Sequence, residues 1–142
     1  MTDVAVVRKR VKFAIDQARR DQAERRARVA EATKTYDAFL ENAAIPVFRM
    51  FANILKSEGL HFEVMTPAGG VRLQSERQRD DRIEMELDTT ADPPQPLVTV
   101  TRVRGSRIVQ SDRSLKGSNP LVHLTDDDVI EMLLEELRPW LV

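Results

Sequence analysis

A chain of 142 residues, 42% apolar and 32% charged, has room for one domain, or for one small domain with an appendage, and is too apolar to be globally disordered. Its net charge of −1 gives no compositional case for a nucleic-acid protein, and the lack of cysteine excludes disulfides, thiolate metal sites and thiol nucleophiles. The run 93–101, nine residues without a charge and rich in proline, is too short to cross a bilayer, so no membrane span is expected. The apolar run Val4 to Val7 precedes its basic residues, the reverse of a secretory leader, and the expected location is cytoplasmic.

The charge is unevenly spread. Residues 1–45 hold ten Lys or Arg against seven Asp or Glu, and the remainder holds twelve against sixteen. From Val4 to Leu60 there is one glycine, Gly59, and one proline, Pro46. Apolar and small residues recur there at three and four, which predicts a long helix. Val4, Val11, Ala18, Ala32 and Phe39 form one heptad column, and Ile15, Val29, Tyr36, Ala43 and Met50 stand in its partner column. Arg8, Gln22 and Arg25 interrupt this seam, so it reads as a coiled coil with a weak middle. Asp16 with Arg20, Asp21 with Arg25 and Glu24 with Arg28 are spaced for i,i+4 ion pairs, each contributing about 0.2–0.5 kcal/mol.

At Pro46 the composition turns densely apolar. Proline lacks an N–H and crowds the preceding turn, so the spacing predicts a break. An arm closes at Asn42 or Ala44, and a core helix runs from Pro46 to Glu58 with Gly59 as a left-handed cap. Short alternating segments follow. They are His61–Thr66, Val71–Ser75, Arg82–Asp88, Leu97–Arg104 and Ser106–Ser114, with turns at Pro67–Gly70 and Gly105–Ser106. Thr89–Pro96 and Lys116–Pro120 read as connections. Four or five strands in an antiparallel meander, one face covered and one wet, are predicted. Thr125 and Asp128 have capping-box spacing, with Leu124 and Val129 placed for a staple. Val129, Ile130, Leu133, Leu134, Leu137 and Leu141 then mark the apolar stripe of a terminal helix. The class is α+β: an arm over 1–44 and a body over 45–142.

Chemistry is sparse. Gly69–Gly70 lacks the lysine and helix of a phosphate loop, and the three acids at Asp126–Asp128 suit a helix start better than a calcium loop. His61 and Glu63 share a strand face without a third ligand, and the acids Asp80, Asp81, Glu84 and Glu86 alternate with Arg77, Arg79 and Arg82 as a balanced surface. No catalytic residue, metal site or cofactor is expected, and the reading leans away from an enzyme.

The expected function is a non-enzymatic interaction or scaffold protein that self-associates as a homodimer through its arm. The residues assigned to that contact are Val4, Val11, Ile15, Ala18, Val29, Ala32, Tyr36 and Phe39. A nucleic-acid-associated protein is the first alternative, with phosphate contacts from Arg8, Arg10, Lys12, Arg19, Arg20, Arg25, Arg26, Arg102 and Arg104. A small enzyme or ligand-binding module with its pocket between sheet and helices is the second.

Overall fold

The computed structural model describes residues 3–115 and 120–142. Helix α1 (Val4–Phe39) passes through one widened π turn (Leu40–Ala44) directly into α2 (Ile45–Ser57). The predicted break is therefore absent. Ile45 donates its N–H to the Leu40 carbonyl five residues back, and this wider turn gives the Pro46 ring room against the preceding coil. Proline has no N–H to donate to the preceding coil, so the continuous helix passes this point one hydrogen bond short. The helix starts at Asp3, whose carboxylate accepts from the Ala5 N–H at 2.9 Å. Gly59 closes α2 in the left-handed region at φ 84°, and the Leu60 N–H reaches the Leu55 carbonyl at 2.8 Å.

The sheet is a five-stranded antiparallel meander in sequence order. Its strands are β1 (Phe62–Met65), β2 (Gly70–Ser75), β3 (Arg82–Asp88), β4 (Gln95–Arg104) and β5 (Arg107–Ser114). Alternation dictates its faces. Val64 pairs with Leu73, Leu73 with Ile83 and Ile83 with Val100, while Val71, Met85 and Val98 form the next row. These residues turn towards α2 and α3 (Asp126–Leu137) and form the core with Tyr36, Leu40, Ala44, Phe48 and Val47. The core thus draws on both sides of the division at residue 44. β4 begins two residues earlier than expected: Pro96 pairs with Leu87 inside the ladder. The predicted loop 116–120 lies outside the described residues except for Pro120.

Gly70 fits because β2 and β3 approach closely there. A Cβ on it would lie 2.9 Å from the Met85 carbonyl oxygen, part of the backbone that pairs with β2. Gly70→Ala is expected to cost about 1–3 kcal/mol through overpacking, read as a lower urea midpoint with an unchanged slope.

The terminal helix starts as its sequence predicts. The Thr125 N–H donates to the Asp128 carboxylate at 2.8 Å, closing the capping box. The apolar stripe is narrower than expected. Val129, Met132, Leu133 and Leu137 are buried, whereas Leu134 and Leu141 face outwards. Met132, three residues after Val129, is buried on the opposite flank of the stripe from Leu134.

By length and composition the continuous Val4–Ser57 helix has a stretch apolar enough to cross a membrane. The contrary expectation rested on unbroken charge-free runs, whereas this stretch is apolar on average despite scattered charges. Its Leu40, Ala44, Val47, Phe48, Ala52 and Leu55 are buried in the core.

Candidate self-association site

From Asp3 to Arg28 every residue is exposed. At 1.5 Å per residue, Val4 to Arg28 is a free helix about 37 Å long. Its composition explains why it is helical without a core beneath it: Ala, Arg, Glu and Gln dominate residues 17–28. The expected i,i+4 ion pairs do not form among the described residues. Asp21 instead accepts from the Gln17 side chain at 3.1 Å, and Arg28 reaches across to Asp92 at 3.5 Å.

Near its free end the arm presents large apolar side chains to solvent. Val4 is 71% exposed, Val11 51% and Ile15 44%, and together with Val7 they form one stripe with Arg8, Lys12, Asp16 and Arg19 along it. Val6 and Phe13, seven residues apart, lie on the opposite side and are also exposed. The heptad columns pass over this second pair, although an i,i+7 search would have found it.

Of the other residues assigned to self-association, Ala18 is exposed, and Val29, Ala32 and Phe39 are half-buried where the arm meets the body. Tyr36 is only 1% exposed and belongs to the core of its own chain, so it is not available to a second copy. Its ring lies 6.3 Å from that of Phe39. Burial pushes the Tyr36 hydroxyl well above the usual phenol range, and Glu86 and Asp37 add to the effect.

At the base of the arm is an apolar crevice of about 380 Å³. Ala32 and Thr35 of α1 form one side, and Pro93, Pro94, Leu121 and Val122 contribute the rest, with the Arg28–Asp92 pair nearby. Sequence reading missed it because three separate segments build it. A second cavity, about 530 Å³ and more polar, lies between Asp37, Glu41 and Arg49 of the helix and the Thr66–Gly70 turn.

The basic residues divide into two groups. Arg8, Arg10, Lys12, Arg19, Arg20, Arg25 and Arg26 remain exposed along the arm. Arg102 does not. It points to the helix-covered face, where its Nη2 donates to the Glu136 carbonyl at 2.9 Å and carboxylate at 3.0 Å. Its guanidinium also lies 5.2 Å from the centre of the Trp140 ring. Arg104, two residues on, is exposed at the hairpin end. The two therefore do not make a basic sheet surface. Arg102→Ala is expected to cost about 1–2 kcal/mol and Arg104→Ala less than about 0.5, compared by urea unfolding.

Beside Arg102, Arg113 donates to Glu135 at 2.7 Å and Glu136 at 3.2 Å, and this bond holds the Glu135 carboxyl below its ordinary range. On the open face Arg82 lies 3.3 Å from Glu84 and 3.4 Å from Asp80, the balanced surface expected. Asp81 continues the ladder instead, accepting from the Val103 N–H at 2.9 Å. No group of three metal-ligating side chains occurs among the described residues. The geometry defines an α+β body carrying an exposed amphipathic helical arm. No family model, curated protein or solved structure matches the chain.

Proposed function

We propose that this is a non-enzymatic assembly protein whose arm pairs with the arm of a second copy. The observation that carries the reading is the exposed stripe Val4, Val7, Val11 and Ile15 on a helix that extends beyond its own core. Helices in proteins take most of their stability from packing an apolar face, and a second arm supplies such a face. A closed two-fold dimer is the commonest such arrangement. Light scattering at tens of micromolar is expected to give twice the chain mass; a single-chain mass would sink the proposal.

The exposed cations favour a second reading. Between Arg8 and Arg28 nine Lys or Arg face three acids, all of them on the free helix. An arm that tracked phosphates would bind nucleic acid with steep salt dependence, and absence of binding at low salt would remove this alternative.

A further inference from the structure

The seam of the arm carries three polar residues, and their positions discriminate between ways of pairing. Arg8 and Gln22 share a column with Ile15 and Val29, while Arg25 shares the other with Val4, Val11, Ala18 and Ala32. In a parallel, in-register pair each residue meets its own twin, so two Arg8 and two Arg25 guanidiniums face each other across a drying seam. Unpaired charges brought together this way are costly to desolvate.

An antiparallel pair sets one column against the other. When Val11 lies opposite Val29 of the second copy, Arg8 falls opposite Ala32, Arg25 opposite Ile15 and Gln22 opposite Ala18. No guanidinium then faces another in the seam, and each Arg can run its stem over a neighbour and its head to water. Shifting by one heptad towards the tips brings Arg8 onto Arg25. Shifting by two leaves Val29 uncovered and confines the overlap to residues 4–22. The flanking charges oppose this arrangement, since Lys12 comes near Arg26 and Arg19 near its twin. As exposed like pairs they cost only a few tenths of a kcal/mol each, roughly the size of a helix-surface pair.

The favoured register pairs residues 8–32 of the two arms, about 37 Å of helix, and stops short of the buried Tyr36. It brings Val4 of one copy to the base of the other copy's arm, where the crevice between Ala32, Pro93, Pro94 and Val122 opens. Val122 is 72% exposed there, more than any arm residue of the stripe. We infer that the protein pairs antiparallel, with the tip of each arm, Val4 to Val7, seated in the apolar crevice at the base of the other. This inference rests on the arm-pairing reading and adds to it a direction, a register and an occupant for the crevice.

Because the chain has no cysteine, single cysteines can report the register without background. Mixing Val11→Cys with Val29→Cys protein under mild oxidation is expected to give a covalent dimer in high yield, and Val11→Cys alone very little. Preferential cross-linking of Val11→Cys to itself would mean parallel arms and overturn the inference. So would preferential cross-linking of Val11→Cys to Ile15→Cys, which marks the short overlap. Val122→Asp is expected to weaken association at least tenfold in a sedimentation dilution series, with Val109→Asp on the exposed β5 strand as the control. Unchanged association in Val122→Asp removes the crevice as the seat. A wild-type monomer would overturn arm pairing itself; a dimer with the wrong cross-links overturns only the direction and register.

Discussion

Replacing Tyr36 by alanine is expected to remove about 3–5 kcal/mol of stability, whereas Tyr36→Phe is expected to leave stability unchanged or raise it by about 1 kcal/mol. The two substitutions separate the ring from the hydroxyl. The ring is 1% exposed and sits where the arm enters the core, packed with Leu40 and the residues of α2 and the sheet. Removing it opens a cavity at a point that a continuous helix cannot easily collapse around. The hydroxyl is buried without a hydrogen-bond partner among the described residues. It contributes desolvation cost and no compensating bond, so its loss is at worst neutral. Urea unfolding of the three proteins measures both effects, and a Tyr36→Phe variant destabilised by 2 kcal/mol or more would contradict this account.

The same hydroxyl carries a pH dependence. Its folded-state pKa is raised, chiefly by burial, with Glu86 and Asp37 reinforcing the shift. Below the ordinary phenol pKa of about 10 both folded and unfolded states keep the proton, and nothing titrates. Above it the unfolded chain loses a proton that the folded chain retains, so stability falls with pH by up to about 1.4 kcal/mol per unit. Tyr36→Phe is expected to flatten this decline between about pH 10 and 11.

Most of the body was legible because local rules and burial agree there. Arg82–Asp88 alternates one residue in and one out, and the strand has the predicted bounds. Thr125 and Asp128 specify their helix start from four residues, with no tertiary information. The failures have a common cause in long-range packing. Pro46 signals a break by its own chemistry, but the core claims Leu40, Ala44, Val47 and Phe48 on both sides, and one π turn costs less than separating them. Tyr36 fits the heptad and also fits the core; only the position of the sheet decides between them. Arg102 and Arg104 share a face by parity, yet α3 covers the first and stops short of the second. The crevice at the base of the arm joins segments some sixty and ninety residues apart in the chain, which no periodicity reveals.

The double substitution Val4→Glu with Val11→Glu is expected to weaken self-association by roughly a thousandfold or more while leaving the body intact. Four carboxylates enter each dimer seam, and a cost of only about 1 kcal/mol apiece already gives about 4 kcal/mol, or nearly three decades in the dissociation constant. Neither residue touches the core: both are exposed in the isolated chain. Any effect on the body's own stability should therefore stay within about 0.5 kcal/mol. The arm itself should respond differently. Freed of its partner, a solvated helix of about 25 residues is held by propensity alone and is only marginally stable in water. Far-ultraviolet dichroism should thus show lost helix in the double variant, growing with temperature well before the body melts. Wild-type protein should show the same loss on dilution below its dissociation constant. Phe13→Glu provides the internal comparison, because Phe13 lies on the face opposite the stripe. If pairing runs through Val4 and Val11, Phe13→Glu leaves the dimer mass unchanged. If it dissociates the dimer as strongly, the seam lies on the Val6–Phe13 face instead, and the heptad assignment of the arm is wrong.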